Sequence, residues 1–219
     1  MPARTSTWPS NRPAKAGDHH QAAAALGHVA FIPAADRGFA AALDYLHGGE
    51  QHLIKHSHGP LSSWLAAVES EIRSNAGDHT AALAAIDRAR EALARPGLAL
   101  ALPWFDYYDQ TRLAGFAGYA TLRAGRFDES RAALTEALHR LPPTAVKQRA
   151  VFLTDLATVH LHDGDLDEAC RYAAAAADEL HRAGYATGTG RLREFRAAVA
   201  RWGSTPAVRA LDAQLALIA

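Results

Sequence analysis

Apolar residues recur along this chain at the three- and four-residue spacing of an α-helix. Leu83, Ile86, the aliphatic stem of Arg90 and Leu93 form one such row; Leu134, Leu138 and Leu141 form a second, and Leu153, Leu156 and Val159 a third. No stretch alternates in the manner of a half-buried strand. The pattern predicts ten helices in five hairpins, over 18–32 and 38–56, 60–75 and 78–95, 103–124 and 127–140, 145–162 and 166–183, and 189–202 and 205–218. Pro33, Pro60, Pro96, Pro103, Pro142-Pro143 and Pro206 fall at helix edges, where a missing N–H does no harm. Gly48-Gly49 lies inside 38–56 and is expected to bend or split that helix.

The hairpins repeat. Gly77, Gly125, Gly164 and Gly203 each precede a helix-start pattern, and the last three are spaced 39 and 39 residues apart, with a gap of 48 before them. A fainter copy at Gly38 stands 39 before Gly77. Glycine ends a helix by taking the left-handed conformation that side chains resist, and the Asp, Glu, Ser and Thr that follow cap the next helix. Ala82, Ser130 and Ala169 each fall five residues after such a glycine, where a small side chain lets two helices approach closely.

Composition agrees with an all-α chain. Of 219 residues 49% are apolar and 21% charged, with Ala in excess and the β-branched Val and Ile sparse. Lys plus Arg and Asp plus Glu number 23 each, so there is no basic footprint for nucleic acid or an anionic membrane surface. No apolar run approaches the roughly 20 residues that span a bilayer. Residues 1–17, with Pro2, Pro9 and Pro13, read as a flexible leader without a signal peptide, and 18–219 as one repeat domain. The lone Cys170 excludes an intrachain disulfide and fits a reducing, cytoplasmic setting.

Two resemblances sharpen this reading. Gly118, Gly125, Phe127, Ser130, Leu134, Ala137 and Pro142, followed by a second copy at Ala157, Gly164, Leu166, Ala169, Ala173 and Ala176, resemble a tetratricopeptide (TPR) repeat with a period longer than the usual ~34 residues. The resemblance implies a right-handed α-solenoid of about five hairpins. Over roughly 60–218 the segments Pro103-Trp104-Phe105-Asp106-Tyr107-Tyr108-Asp109, Arg112-Leu113-Ala114-Gly115-Phe116, Leu141-Pro142-Pro143, Lys147-Gln148-Arg149-Ala150, Gly184-Tyr185-Ala186-Thr187-Gly188 and Thr205-Pro206-Ala207-Val208-Arg209 look like the C-terminal repeats of actinobacterial helix-turn-helix transcriptional regulators. That likeness implies a sensor or dimerisation module. Residues 1–17 are too short and proline-rich for the DNA-binding head, so DNA contact by this chain is not expected.

Catalytic patterns are weak. His52 and His56, four apart with His47 and His58 nearby, have the spacing to share a zinc ion, but the His-Glu-x-x-His pattern is absent and no metal or cofactor is expected. His160 and His162 point to different sides of one helix. The glycines of 184–190 follow a helix rather than a strand, which reads as a loop and not a phosphate cradle. Asp106, Asp109, Asp155 and Glu136 resemble the carboxylates of any soluble helix, and Cys170 sits inside a helix like a small buried residue.

What remains is a binding surface. The inner faces of the first helices are expected to present Trp64, Ala67 and Glu71, then Tyr108, Arg112, Gly115 and Tyr119, then Val151, Asp155, Thr158 and His162. Phe105 and Tyr108 share a face suited to packing, whereas Trp104 and Tyr107 are expected to stand partly exposed as anchors. This mixed surface predicts a peptide or protein partner, with Arg112 pairing a partner carboxylate and a homodimer as a further option. The competing readings are a plain assembly adaptor, and an enzyme built on a histidine-rich second hairpin containing His52 and His56.

Overall fold

In the computed structural model, residues 16–95 and 102–216 are described, with side chains from His19 onward. They form α1 (Ala16–Val29), α2 (Phe31–Ala35), α3 (Phe39–Leu53), α4 (Gly59–Ala76), α5 (His79–Ala94), α6 (Gln110–Arg123), α7 (Phe127–Arg140), α8 (Val146–His162), α9 (Leu166–Ala183), α10 (Ala186–Ala198), a 3₁₀ turn (Ala200–Trp202) and α11 (Pro206–Leu215). The described residues hold no strand. Of the leader read at 1–17, residues 1–15 lie outside the described part, as does Pro96.

Local chemistry accounts for the three central turns. Gly77, Gly125 and Gly164 have φ of 85°, 75° and 83°, the left-handed region. Each ends its helix with the same pair of bonds: the N–H after the glycine donates five residues back (Asp78 to Arg73 O, Arg126 to Thr121 O, Asp165 to His160 O), and the glycine N–H three back. Asp78 and Asp165 then cap the next helix by accepting from the Ala81 and Glu168 N–H groups at 3.2 and 3.1 Å. The two outer copies behave differently. Gly203 is right-handed (φ −57°) and follows the 3₁₀ turn. Before Gly38 the left-handed position is taken by Arg37, φ 60°.

Helices pack in antiparallel neighbours: α1 on α3, α4 on α5, α6 on α7, and α8 on α9. Between pairs, α4 touches α6, α6 touches α8, and α8 touches α10. The last two helices do not form a fifth pair of the same kind. Instead α10 lies on α8 and α9, and α11 lies on α9.

Small residues set the approach within a pair. A Cβ added at Gly118 in α6 would stand 2.6 Å from Leu134 Cγ in α7, so only glycine admits that leucine. Ser130 Oγ donates to the Gly118 carbonyl at 2.8 Å across the same contact. Leu134, Ala137, Leu141, Phe152 and Leu156 form the apolar cluster at α6–α8, and each large side chain there contributes about 1.5–3 kcal/mol by burial.

Three expectations need correction. The helix expected from residue 103 begins at Gln110, because Asp109, extended at φ −145°, caps it by accepting from the Arg112 N–H at 2.9 Å. Gly48-Gly49 does not split α3, which runs unbroken from Phe39 to Leu53. Gly49 brings α3 against α1 and α4 instead; a Cβ there would meet the Ala23 carbonyl at 3.1 Å and Leu65 Cδ1 at 3.3 Å. The glycine-rich 184–190 segment is mostly helix, since only Gly184 takes positive φ (50°) and α10 starts at Ala186.

Candidate functional site

A cavity of about 630 Å³ opens where the first helices α4, α6, α8 and α10 face the α1–α2 corner. That volume lies within the range of ligand-binding clefts. Trp64, Glu71 and Asn75 enter from α4; Arg112, Gly115, Phe116 and Tyr119 from α6; Lys147, Gln148 and Val151 from α8; Thr187 and Arg191 from α10. Tyr107, Tyr108 and Tyr185 come from the segments before α6 and α10, and His28 and Phe31 from the α1–α2 corner.

Its aromatic wall is built by the 102–109 segment. Phe105 and Tyr108 are buried, and Phe105 meets Trp64 edge-on at 5.7 Å. Tyr108 Oη and Ser63 Oγ share a hydrogen bond of 2.9 Å, and burial pushes the phenol pKa well above its ordinary value. Tyr107 is 38% exposed, with its hydroxyl 3.2 Å from His28 Nε2. Burial lowers the His28 pKa, so this imidazole is held toward its neutral form.

One end of the cavity is a closed electrostatic network. Arg191 donates to Asp155 Oδ2 at 2.6 Å and to Glu71 Oε1 at 2.7 Å, and its guanidinium lies 3.8 Å over the Tyr119 ring. A single side chain thus joins α4, α6, α8 and α10. Tyr119 Oη donates to Asn75 Oδ1 at 2.5 Å. Burial would lower the Arg191 pKa, but Asp155 and Glu71 outweigh it and hold the guanidinium charged. Burial pushes Asp155 up to about 6, with Arg191 pulling it back and Glu71 pushing it further. Tyr119 rises to about 12, again by burial first.

The other end carries the cations Arg112 and Lys147. Among the described residues neither Arg112 nor Lys147 has a carboxylate in ion-pair reach. Arg112 lies over the Tyr107 ring at 5.9 Å, and burial lowers its pKa. Gln148, in the amide orientation that satisfies both its ends, accepts from Arg112 Nη1 and, at 3.1 Å, from Nη2, and donates to the Ala145 carbonyl at 3.2 Å.

Eight residues expected to form the binding surface line this cavity: Trp64, Glu71, Tyr107, Tyr108, Arg112, Gly115, Tyr119 and Val151. Five do not. Ala67 is fully buried in the core. Trp104 is 40% exposed and stacks edge-on against Phe105. Asp155 sits behind the wall, reaching the cavity only through Arg191. Thr158 Oγ1 donates to the Thr154 carbonyl at 3.1 Å, and exposed His162 stacks on Phe127 at 4.3 Å. Sequence reasoning missed Arg191 and Thr187. Their four-residue spacing on α10 matches the inner row of α6, and placing the helix start at 189 concealed it. Nothing local announced His28 or Phe31.

The histidines form a separate cluster. His52 lies in α3 of the α1–α3 pair and His56 just beyond its end, so neither belongs to a second hairpin. The structure adds His19 to them: its Nδ1 is 3.0 Å from His52 Nδ1 and its ring stacks on His56 at 4.3 Å. Desolvation, then His19, His20 and Lys55, lower the His56 pKa. Among the described residues no group of three or more His, Cys, Asp or Glu is placed to hold a metal ion. Cys170 is buried, and its thiol pKa is raised mainly by burial, the opposite of an activated thiolate. No described helix is long and apolar enough to cross a membrane.

Compared with known proteins, the chain matches no family model and no curated protein.

Proposed function

We propose that this chain is a peptide- or protein-binding scaffold, a TPR-like right-handed α-solenoid of four hairpins closed by α10 and α11, serving as the sensor module of a transcriptional regulator. One observation carries the reading: the cavity lies across the first helices and gathers rigid aromatic anchors with donors that, among the described residues, have no acceptor carboxylate in ion-pair reach. Such a surface recognises an extended segment through a few anchors and charge-assisted bonds. The repeated glycine turns at 77, 125 and 164, and the serial contacts of α4, α6, α8 and α10, support the solenoid.

A route from binding to response follows from Arg191. The helices it joins line the cavity, so an occupant that wedges α6 from α10 changes the angle between hairpins, and small tilts add along a repeat stack. The test is selection of a displayed random-peptide library on the immobilised full chain. Wild-type protein is expected to enrich a shared motif, and Tyr107→Ala and Arg112→Ala to weaken the synthetic consensus peptide by about tenfold or more. Absence of any consensus, or binding indifferent to both substitutions, defeats the reading.

A further inference from the structure

Arg112 and Lys147 are both placed where a cation is disfavoured. Arg112 is in the first turn of α6 and Lys147 in the first turn of α8, at the positive ends of their helices. Asp109 caps α6, but α8 has no side-chain cap on Ala145 and no acidic residue in its first turn. Half-burying a guanidinium without a carboxylate in ion-pair reach is costly; the Tyr107 face, the Gln148 oxygen and the more distant Asp109 carboxylate offset it only in part, and burial still lowers the Arg112 pKa. At the other end of the same cavity the sequence supplies Arg191 with two carboxylates. The missing negative charge therefore has a defined place, beside aromatic rings and within reach of several unused N–H donors.

Resting on the reading of this cavity as a binding site, we propose that its ligand joins an anionic group, a carboxylate or phosphate held by Arg112 and Lys147, to an aromatic body seated among Trp64, Tyr107 and Phe116. A small aromatic acid has this chemistry, as does a peptide segment with an acidic residue beside an aromatic one.

The test uses two fluorescent dyes on the full chain: 8-anilinonaphthalene-1-sulfonate, and N-phenyl-1-naphthylamine, which has the same rings without the charge. The anionic dye is expected to bind about tenfold tighter or better. Arg112→Gln is expected to remove that preference, and Lys147→Gln, on an exposed position, to reduce it with the circular dichroism unchanged. Displacement by indole-3-acetate, or by the peptide acetyl-Trp-Glu-amide, tells a small acid from a peptide segment; either supports the assignment. Equal affinity for the two dyes, a preference that survives both substitutions, or equal displacement by indole-3-acetamide and acetyl-Trp-Gln-amide overturns it while leaving the cavity a binding site. If neither dye binds, the cavity itself is no binding site and both readings fall.

Discussion

Arg191 and Arg112 stand in one cavity and meet opposite surroundings. Arg191 is nearly enclosed, bonded to two carboxylates and stacked on Tyr119, and it joins four helices. Arg112 has a ring face and one amide oxygen. The contrast separates a charge that holds the scaffold together from a charge left available. A buried ion that already has its partners gives a ligand little to gain, whereas an ion lacking one gains the whole interaction on binding.

The largest expected effect is on the paired end. Arg191→Met leaves Glu71 and Asp155 without their cation and is expected to cost about 3–5 kcal/mol in chemical denaturation. A loss below about 1 kcal/mol would mean that the network does not hold α10 to α4. Next is pH. Asp155 has a folded pKa of about 6 against an ordinary 3.8, so its contribution is full below about pH 4 and is lost as pH rises through 6. Stability attributable to this group should fall by an amount on the order of 2–3 kcal/mol between pH 4 and pH 7. Asp155→Asn is expected to flatten that slope in parallel denaturation series, and an unchanged slope would remove Asp155 as its source.

Tyr119→Phe deletes the bond to Asn75 but keeps the ring beneath Arg191, and a loss of about 1 kcal/mol is expected in the same assay. Smallest is Arg112→Met. With no carboxylate to abandon, it is expected to leave the stability of the free protein within about 0.5 kcal/mol of wild type, or to raise it slightly. If Arg112→Met costs as much as Arg191→Met, the contrast between the two ends collapses.

Much of the architecture was legible because its signals act over three to five residues. Glycine at 77, 125 and 164 admits positive φ, and Asp78 and Asp165 satisfy the next N–H groups, whatever surrounds them. Seven inner-face residues (Trp64, Glu71, Tyr108, Arg112, Gly115, Tyr119 and Val151) were legible from the helical spacing that fixes which side chains share a face. The segment before α6 was not. Its aromatic spacing reads as helix, yet Phe105 and Tyr108 are buried in an irregular segment against Trp64 and Ser63, contacts that span some 41 and 45 residues of chain. Gly49 likewise reads as a helix breaker until α1 and α4 are seen against it, where its missing side chain is what lets the helices close.

The amino-acid sequence alone determined that this chain is helical, where most helices begin and end, and which rows of side chains turn inward, because propensity, capping and period are local. Only the tertiary structure decided which charges meet. Glu71 and Arg191 are 120 residues apart, and pairing them while leaving Arg112 and Lys147, among the described residues, without a carboxylate in ion-pair reach depends on how hairpins are stacked, which no local spacing encodes.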